Sequence, residues 1–185
     1  MEILEIQVYR GANYWAPVPV IRFLLDMGDL GERPTRVIPG FCDRLSASLP
    51  TLVEHSCSVG EPTGFLQQVR EGTSLLHVAQ HAALELQIMA EQTVGHHTAH
   101  AANTAEDSTR PGPSHFVVRY QEAEVGIAAG RLAIRMLESL VCPERDCDFD
   151  FTSQLSELIQ LAKELRFGID TRKLKEEAQG RERAG

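Results

Sequence analysis

Two imidazoles stand four residues apart in His77-Val78-Ala79-Gln80-His81. That spacing puts both on one face of a helix, where both can reach a single zinc ion. The inverted zincin pattern H-x-x-E-H sets a glutamate between its two histidines as general base toward metal-bound water. Here that position is Gln80, and an amide cannot take the water's proton, so even a metal-loaded site would lack the base that hydrolysis needs. Glu122 is the favoured third ligand by its downstream placement at a strand-to-helix junction. Glu124 beside it and Glu85, one turn along the helix from His81, are the carboxylates that could replace the base. Histidine pairs at this spacing also serve packing alone, and no residue is assigned a catalytic role. If the ligands are in place, Gln80→Glu is the single change expected to confer cleavage.

The remaining histidines form a looser set. His96, His97 and His100 follow the helix, and His55 neighbours Glu54 and Cys57, so a mixed metal site is a second, weaker reading. Gly126-Ile127-Ala128-Ala129-Gly130 lacks the lysine of a phosphate loop and reads as close helix packing. Cys142 and Cys147 have a zinc-compatible spacing but no second pair nearby, and all four cysteines read as free thiols.

These side chains need elements to hold them. Residues Ile3 to Tyr9 read as a strand that ends at the turn-forming Arg10-Gly11-Ala12-Asn13, and Val18 to Leu25 as its partner. Phe41 to Leu49 has helical spacing, and Pro50 opens a short helix through Glu54. The strongest helix follows Thr73 as N-cap and runs to about Glu91, with Leu75, Leu76, Ala79, Ala82, Ala83, Leu86 and Met89 at three- and four-residue steps. A strand start at Thr93 to Thr98 and a mobile loop from Asn103 to Ser114 precede a strand at Phe116 to Tyr120. Glu124 to Val141 is strongly helical. Cys142 to Asp150 is a polar connection, Leu155 to Leu165 is amphipathic, and the charged end from Arg172 is expected to fray. Strands and helices do not alternate regularly, which favours an α+β fold: a small antiparallel sheet covered on one face by the Thr73 to Glu91 and Glu124 to Val141 helices, in a single domain with a C-terminal helical tail.

The bulk numbers agree with one core. The chain has 185 residues, 43% of them hydrophobic, and a formal charge of -8 from 26 acidic and 18 basic side chains. That balance argues against nucleic-acid backbones and anionic membranes as partners, both of which need a cationic surface. No stretch approaches a membrane span, and Met1-Glu2-Ile3-Leu4-Glu5 has no basic region or cleavage site, so a cytoplasmic protein is expected.

In sequence order, Arg10-Gly11-x-Asn13-Tyr14-Trp15, Ile38-Pro39-Gly40-Phe41, Leu49-Pro50-x-Leu52-x-Glu54-His55-x-Cys57-Ser58, Gly64-Phe65-Leu66, Arg70-Glu71-Gly72-Thr73 and His81-x-Ala83-Leu84-Glu85-Leu86-Gln87 form a series. The series resembles the N-terminal domain of cyanophycin synthetases over residues 1–141. Residues 142–185 are a connecting segment and helical tail, within which Phe149 to Glu177 resembles the lead-in to that family's ATP-grasp domain. The resemblance implies a module of an enzyme that builds a poly-aspartate backbone bearing arginine, with ligation left to ATP-grasp and Mur-ligase-like domains outside this chain. It implies that the module holds the polymer, through Arg10, Asn13, Tyr14, Trp15, Arg70 and Glu71, and docks on the synthetase's catalytic domains. No confident cofactor follows. Some members carry a metal-dependent hydrolase site on the H-x-x-E-H helix, so zinc on His77, His81 and Glu122, cutting polymer into primers, is the alternative. Gln80 departs from that pattern, and Gly95-His96-His97-Thr98-Ala99-His100 departs from a more arginine-bearing stretch. Self-association stays open.

Overall fold

The computed structural model describes residues 1–55, 64–94, 112–142 and 149–182, with side chains of the last helix described as far as residue 168. β1 (Glu2–Tyr9) pairs antiparallel with β2 (Val20–Asp26), from Glu2 opposite Asp26 to Tyr9 opposite Val20, with an irregularity between Ile3 and Glu5. β3 (Ser114–Arg119) pairs antiparallel on the other side of β2, from Val20 opposite Arg119 to Leu25 opposite Ser114. Among the described residues this makes a three-stranded sheet in the order β1-β2-β3. The central strand is the most apolar, as a strand with neighbours on both edges should be. Ile21, Phe23 and Leu25 face the helices together with Phe116 and Val118, and all are buried.

Those helices are α3 (Leu75–Met89) and α4 (Ala123–Val141). α4 lies on β2 through two glycines. A Cβ on Gly126 would fall 2.6 Å from the Ile21 side chain, and one on Gly130 would fall 2.2 Å from the Phe23 ring. Phe23 cannot retreat, because its ring stacks on Phe116 with centroids 4.7 Å apart. α1 (Phe41–Ser48), the 3-10 turn Pro50–Glu54 and α2 (Phe65–Glu71) add a flank that buries Phe41, Leu45, Leu52 and Phe65. Buried Thr35 ties that flank to the start of α3. Its hydroxyl donates to the Val69 carbonyl at 2.6 Å and accepts from the Thr73 amide at 2.9 Å.

The α+β fold, the paired first strands and the two covering helices agree with the sequence reading. Four local details differ. Ser74, not Thr73, caps α3, accepting from the His77 amide at 3.2 Å. α2 is a helix that the sequence reading left out; it has seven residues and ends at Gly72, whose φ of 113° no side chain tolerates well. Ser114, expected in a loop, begins β3. The charged end is helical past Arg172: α5 (Phe151–Glu182) runs on through it. Its lysines, glutamates and alanine are strong helix formers. Thr93 and Val94 are not in a strand, and the rest of that expected strand lies outside the described residues, as do residues 103–111 of the expected loop. No described helix is long and apolar enough to cross a membrane. Cys42 and Cys142 are free thiols.

The Phe23 contact gives a direct test of this packing. Gly130→Ala should lower unfolding free energy by about 1–3 kcal/mol, the usual cost of overpacking a filled core. Gly168→Ala, with open space around its Cβ position, should raise it by about 0.5–1 kcal/mol through helix propensity alone. Urea denaturation of both variants measures the contrast, and equal midpoints would refute the packing argument.

Candidate functional site

α3 is buried on most of its circumference, with Leu75, Val78, Ala79, Ala82, Ala83, Leu84 and Leu86 all inside. Its polar residues must therefore find partners within the protein. His77, His81 and Glu85 recur every four residues on one face, and His55, just beyond the Pro50–Glu54 turn, inserts beside them. The result is one continuous chain of contacts. Thr73 Oγ1 meets His77 Nδ1 at 2.8 Å, and His77 Nε2 meets His81 Nε2 at 3.2 Å. His81 Nδ1 meets His55 Nδ1 at 3.1 Å, and His55 Nε2 meets Glu85 Oε2 at 2.6 Å. The Thr51 hydroxyl donates to the other Glu85 oxygen. Phe65 lies flat on His81 with centroids 3.9 Å apart and edge-on to His77 at 5.5 Å.

One assignment of protons satisfies every link. Thr73 donates to His77, His77 through Nε2–H to His81, His81 through Nδ1–H to His55, and His55 through Nε2–H to an ionised Glu85. His77 and His81 then each carry a single proton. Burial pushes the pKa of His81 down to about 2, with the His77 and His55 rings adding to the effect, and burial lowers that of His77 as well.

The structure brings His77 and His81 together but not Glu122. The neighbouring Gln121 accepts from the Thr93 amide at 2.6 Å, beyond the far end of α3. Twelve residues of helix separate His77 from Met89, about 18 Å along the axis. Glu124, also proposed as a substitute base, is exposed on the first turn of α4. A separation of 3.2 Å between two Nε2 atoms suits a shared ion, but each ring nitrogen of the three histidines already has a protein partner. The Glu85 carboxylate is held by His55 and Thr51. Among the described residues no group of three or more His, Cys, Asp and Glu side chains gathers to hold a metal ion. Among the described residues the donor set around His77 and His81 does not fit zinc. His96, His97, His100 and Cys57 lie outside the described residues.

Gln80 has work of its own. Its amide nitrogen donates to the Val117 carbonyl at 2.6 Å, and Gln87, seven residues on, donates to the Arg119 carbonyl at 3.0 Å. Those two carbonyls lie on the edge of β3 that β2 does not occupy. The glutamines thus fasten α3 along a strand edge that no other described strand pairs with.

The expected polymer contacts fall into two places. Asn13 is a structural organiser: Oδ1 accepts from the Trp15 and Ala16 amides at 2.8 and 3.2 Å, and Nδ2 donates to the Gly11 and Val18 carbonyls at 2.8 and 3.1 Å. This knots the β1–β2 loop so that Tyr14 projects at 83% exposure, edge-on to Trp15, which in turn packs edge-on to His115. Arg10 is exposed beside them. The knuckle sits on the sheet face opposite the helices, over buried Ala16, Val20 and Val117. Arg70 and Glu71 are exposed on α2, which packs on α1 and the two 3-10 turns, Thr35–Val37 and Pro50–Glu54. They belong to a different surface.

Two predictions follow from the buried chain and its neighbour. His81 is neutral in the folded protein, whereas in the unfolded chain its pKa lies near 6.5. On acidification the unfolded state takes the proton first. Stability should be full above that value and fall below it, by about 1.4 kcal/mol per pH unit for the neutral His81 imidazole. Urea midpoints measured between about pH 7.5 and pH 5 check this, and a flat profile would contradict neutral burial. Gln80→Glu removes a donor and sets a carboxylate against the Val117 carbonyl, so the change first expected to confer cleavage should instead cost about 1–3 kcal/mol. Unchanged stability in that variant would show the anchor to be dispensable.

Residues 22–142 match the family model described as cyanophycin synthase-like N-terminal domain. The chain is 38% identical over 184 residues to a cyanophycin synthetase of Geminocystis herdmanii and 39% identical over 183 residues to one of Synechocystis. It is 38% identical over 183 residues to one of Crocosphaera subtropica. Each match covers 98% of this chain and 20% of the relative, so the chain spans about a fifth of their length.

Proposed function

The chain belongs to the cyanophycin synthase-like N-terminal domain family, and on that premise we propose that it is a binding module that holds an Asp/Arg polymer. In this reading residues 1–141 are the binding domain. Residues 142–185 lead toward the ATP-grasp and Mur-ligase-like domains on which the module docks and which perform the ligations. The observation that carries the reading is the knuckle of Arg10, Tyr14 and Trp15. A tyrosine 83% exposed contributes little to a core, yet the loop that presents it is fixed by four hydrogen bonds to one asparagine side chain. Rigid presentation of an exposed aromatic lowers the entropic cost of binding.

The chemistry of the knuckle suits such a polymer. A guanidinium can lie over the Tyr14 or Trp15 ring, and the Arg10 guanidinium can pair with a carboxylate. The net charge of -8 favours a ligand dense in guanidinium groups over a uniformly anionic one. Arg70 and Glu71 would form a second contact on the other surface.

Co-sedimentation with insoluble cyanophycin tests the proposal. The chain should pellet with polymer at low to moderate salt, and Tyr14→Ala should reduce the bound fraction about tenfold, as loss of an exposed cation–π contact plus its apolar contact would. No enrichment in the pellet over a polymer-free control would overturn the holding role.

A further inference from the structure

A groove with a cavity volume of about 880 Å³ lies between the start of β1, the exposed side of α4 and the first turns of α5. It is remote from both the histidine chain and the knuckle. Its volume falls in the range of about 300–1,000 Å³ that ligand sites take. The floor is apolar, from Ile3, Ala128, Leu132, Leu158 and Leu161. The rim carries both signs of charge. Arg131 and Arg135 stand one turn apart on α4, while Glu2 on β1 and Glu157 on α5 line the walls. All four are exposed.

The charged groups are not used up by one another. Arg135 rests over the Phe149 ring at 5.3 Å and reaches the Gln154 oxygen at 3.4 Å, and Glu157 accepts from the Gln154 amide at 3.2 Å. Arg131 and Glu2 meet no hydrogen-bond or ion-pair partner among the described residues. A ligand of a single sign would be attracted by one part of this rim and repelled by another. A chain that carries a guanidinium and a carboxylate at every repeat would satisfy both, with its aliphatic stems on the apolar floor.

We propose that this groove seats a segment of Asp/Arg polymer, with Arg131 and Arg135 taking its carboxylates and Glu2 and Glu157 its guanidinium groups. The inference rests on the polymer-holding role and adds a further place of contact. β1 links the two, since its eight residues run from Glu2 at the groove to Tyr9 at the knuckle, about 24 Å at 3.4 Å per residue. One polymer strand engaged at both ends gains from effective concentration.

The test is amide NMR on the isotope-labelled full chain, titrated with a short soluble peptide of aspartates each bearing arginine. Oligo-aspartate and oligo-arginine serve as single-sign controls. The amides of Ile3, Ala128 and Leu158 should shift and saturate with the mixed peptide and respond weakly to either control. Arg131→Glu, an exposed substitution that leaves the core untouched, should weaken that response roughly tenfold. Shifts confined to Tyr14 and Trp15, unaffected by Arg131→Glu, would overturn the groove and leave the holding role standing. No shift anywhere, together with no pelleting on insoluble polymer, would overturn both.

Discussion

A helix buried on most of its sides cannot leave a polar side chain unmet, and α3 carries His77, Gln80, His81, Glu85 and Gln87 into the interior or its margin. Each unmet group would cost about 1–3 kcal/mol. The two outcomes divide by face. Gln80 and Gln87 turn to β3 and take carbonyls that a further strand would otherwise claim. His77, His81 and Glu85 turn to the flank and recruit Thr73, His55 and Thr51. The position of β3, the seating of the Pro50–Glu54 turn and the stacking of Phe65 are all fixed by what this helix requires.

This arrangement explains why residue types associated with metal chemistry do not assemble such a site among the described residues. Three imidazoles in series each meet a protein partner at both ring nitrogens, and the chain of contacts ends on a carboxylate. The exposed aromatic knuckle and the charged groove lie on surfaces that cost the core nothing. The knuckle stands on the sheet face away from the helices, and the groove opens between β1, α4 and α5. Both are built on elements whose positions α3 and α4 determine.

The parts of the fold that depend on short-range pattern were readable in the chain. The β1–β2 pair follows from two apolar runs across a turn, and α4 from an apolar stripe at three- and four-residue steps. α2 was not readable, because seven residues between Gly64 and Gly72 offer too little periodicity. The capping residue was displaced by one, since Thr73 and Ser74 can both cap, and the Thr73 hydroxyl is taken by the His77 ring while its amide is held by Thr35. The stripe of His77, His81 and Glu85 could be seen as one helix face. Its partner His55 comes from 26 residues before His81, a pairing no local signal announces. Glu122 shows the converse error: downstream order suggested a ligand, but α3 runs antiparallel to that hope and leaves it at the wrong end. Asn13 looked like a binding residue, and its side chain is what knots the β1–β2 loop.

The order of strands has a consequence for the newly made chain. β1 and β2 are neighbours in sequence and can close as a hairpin early, but β3 pairs with β2 only after some ninety further residues have been added. Until then the most apolar strand of the protein has one bare edge, and loop closure over that span is slow compared with local pairing. α3 is complete before β3 exists and carries Gln80 and Gln87 ready for the incoming carbonyls. The helix thus acts as a landing rail that guides a late strand into register, and the interval before it lands is when this protein is most exposed to pairing with the wrong chain.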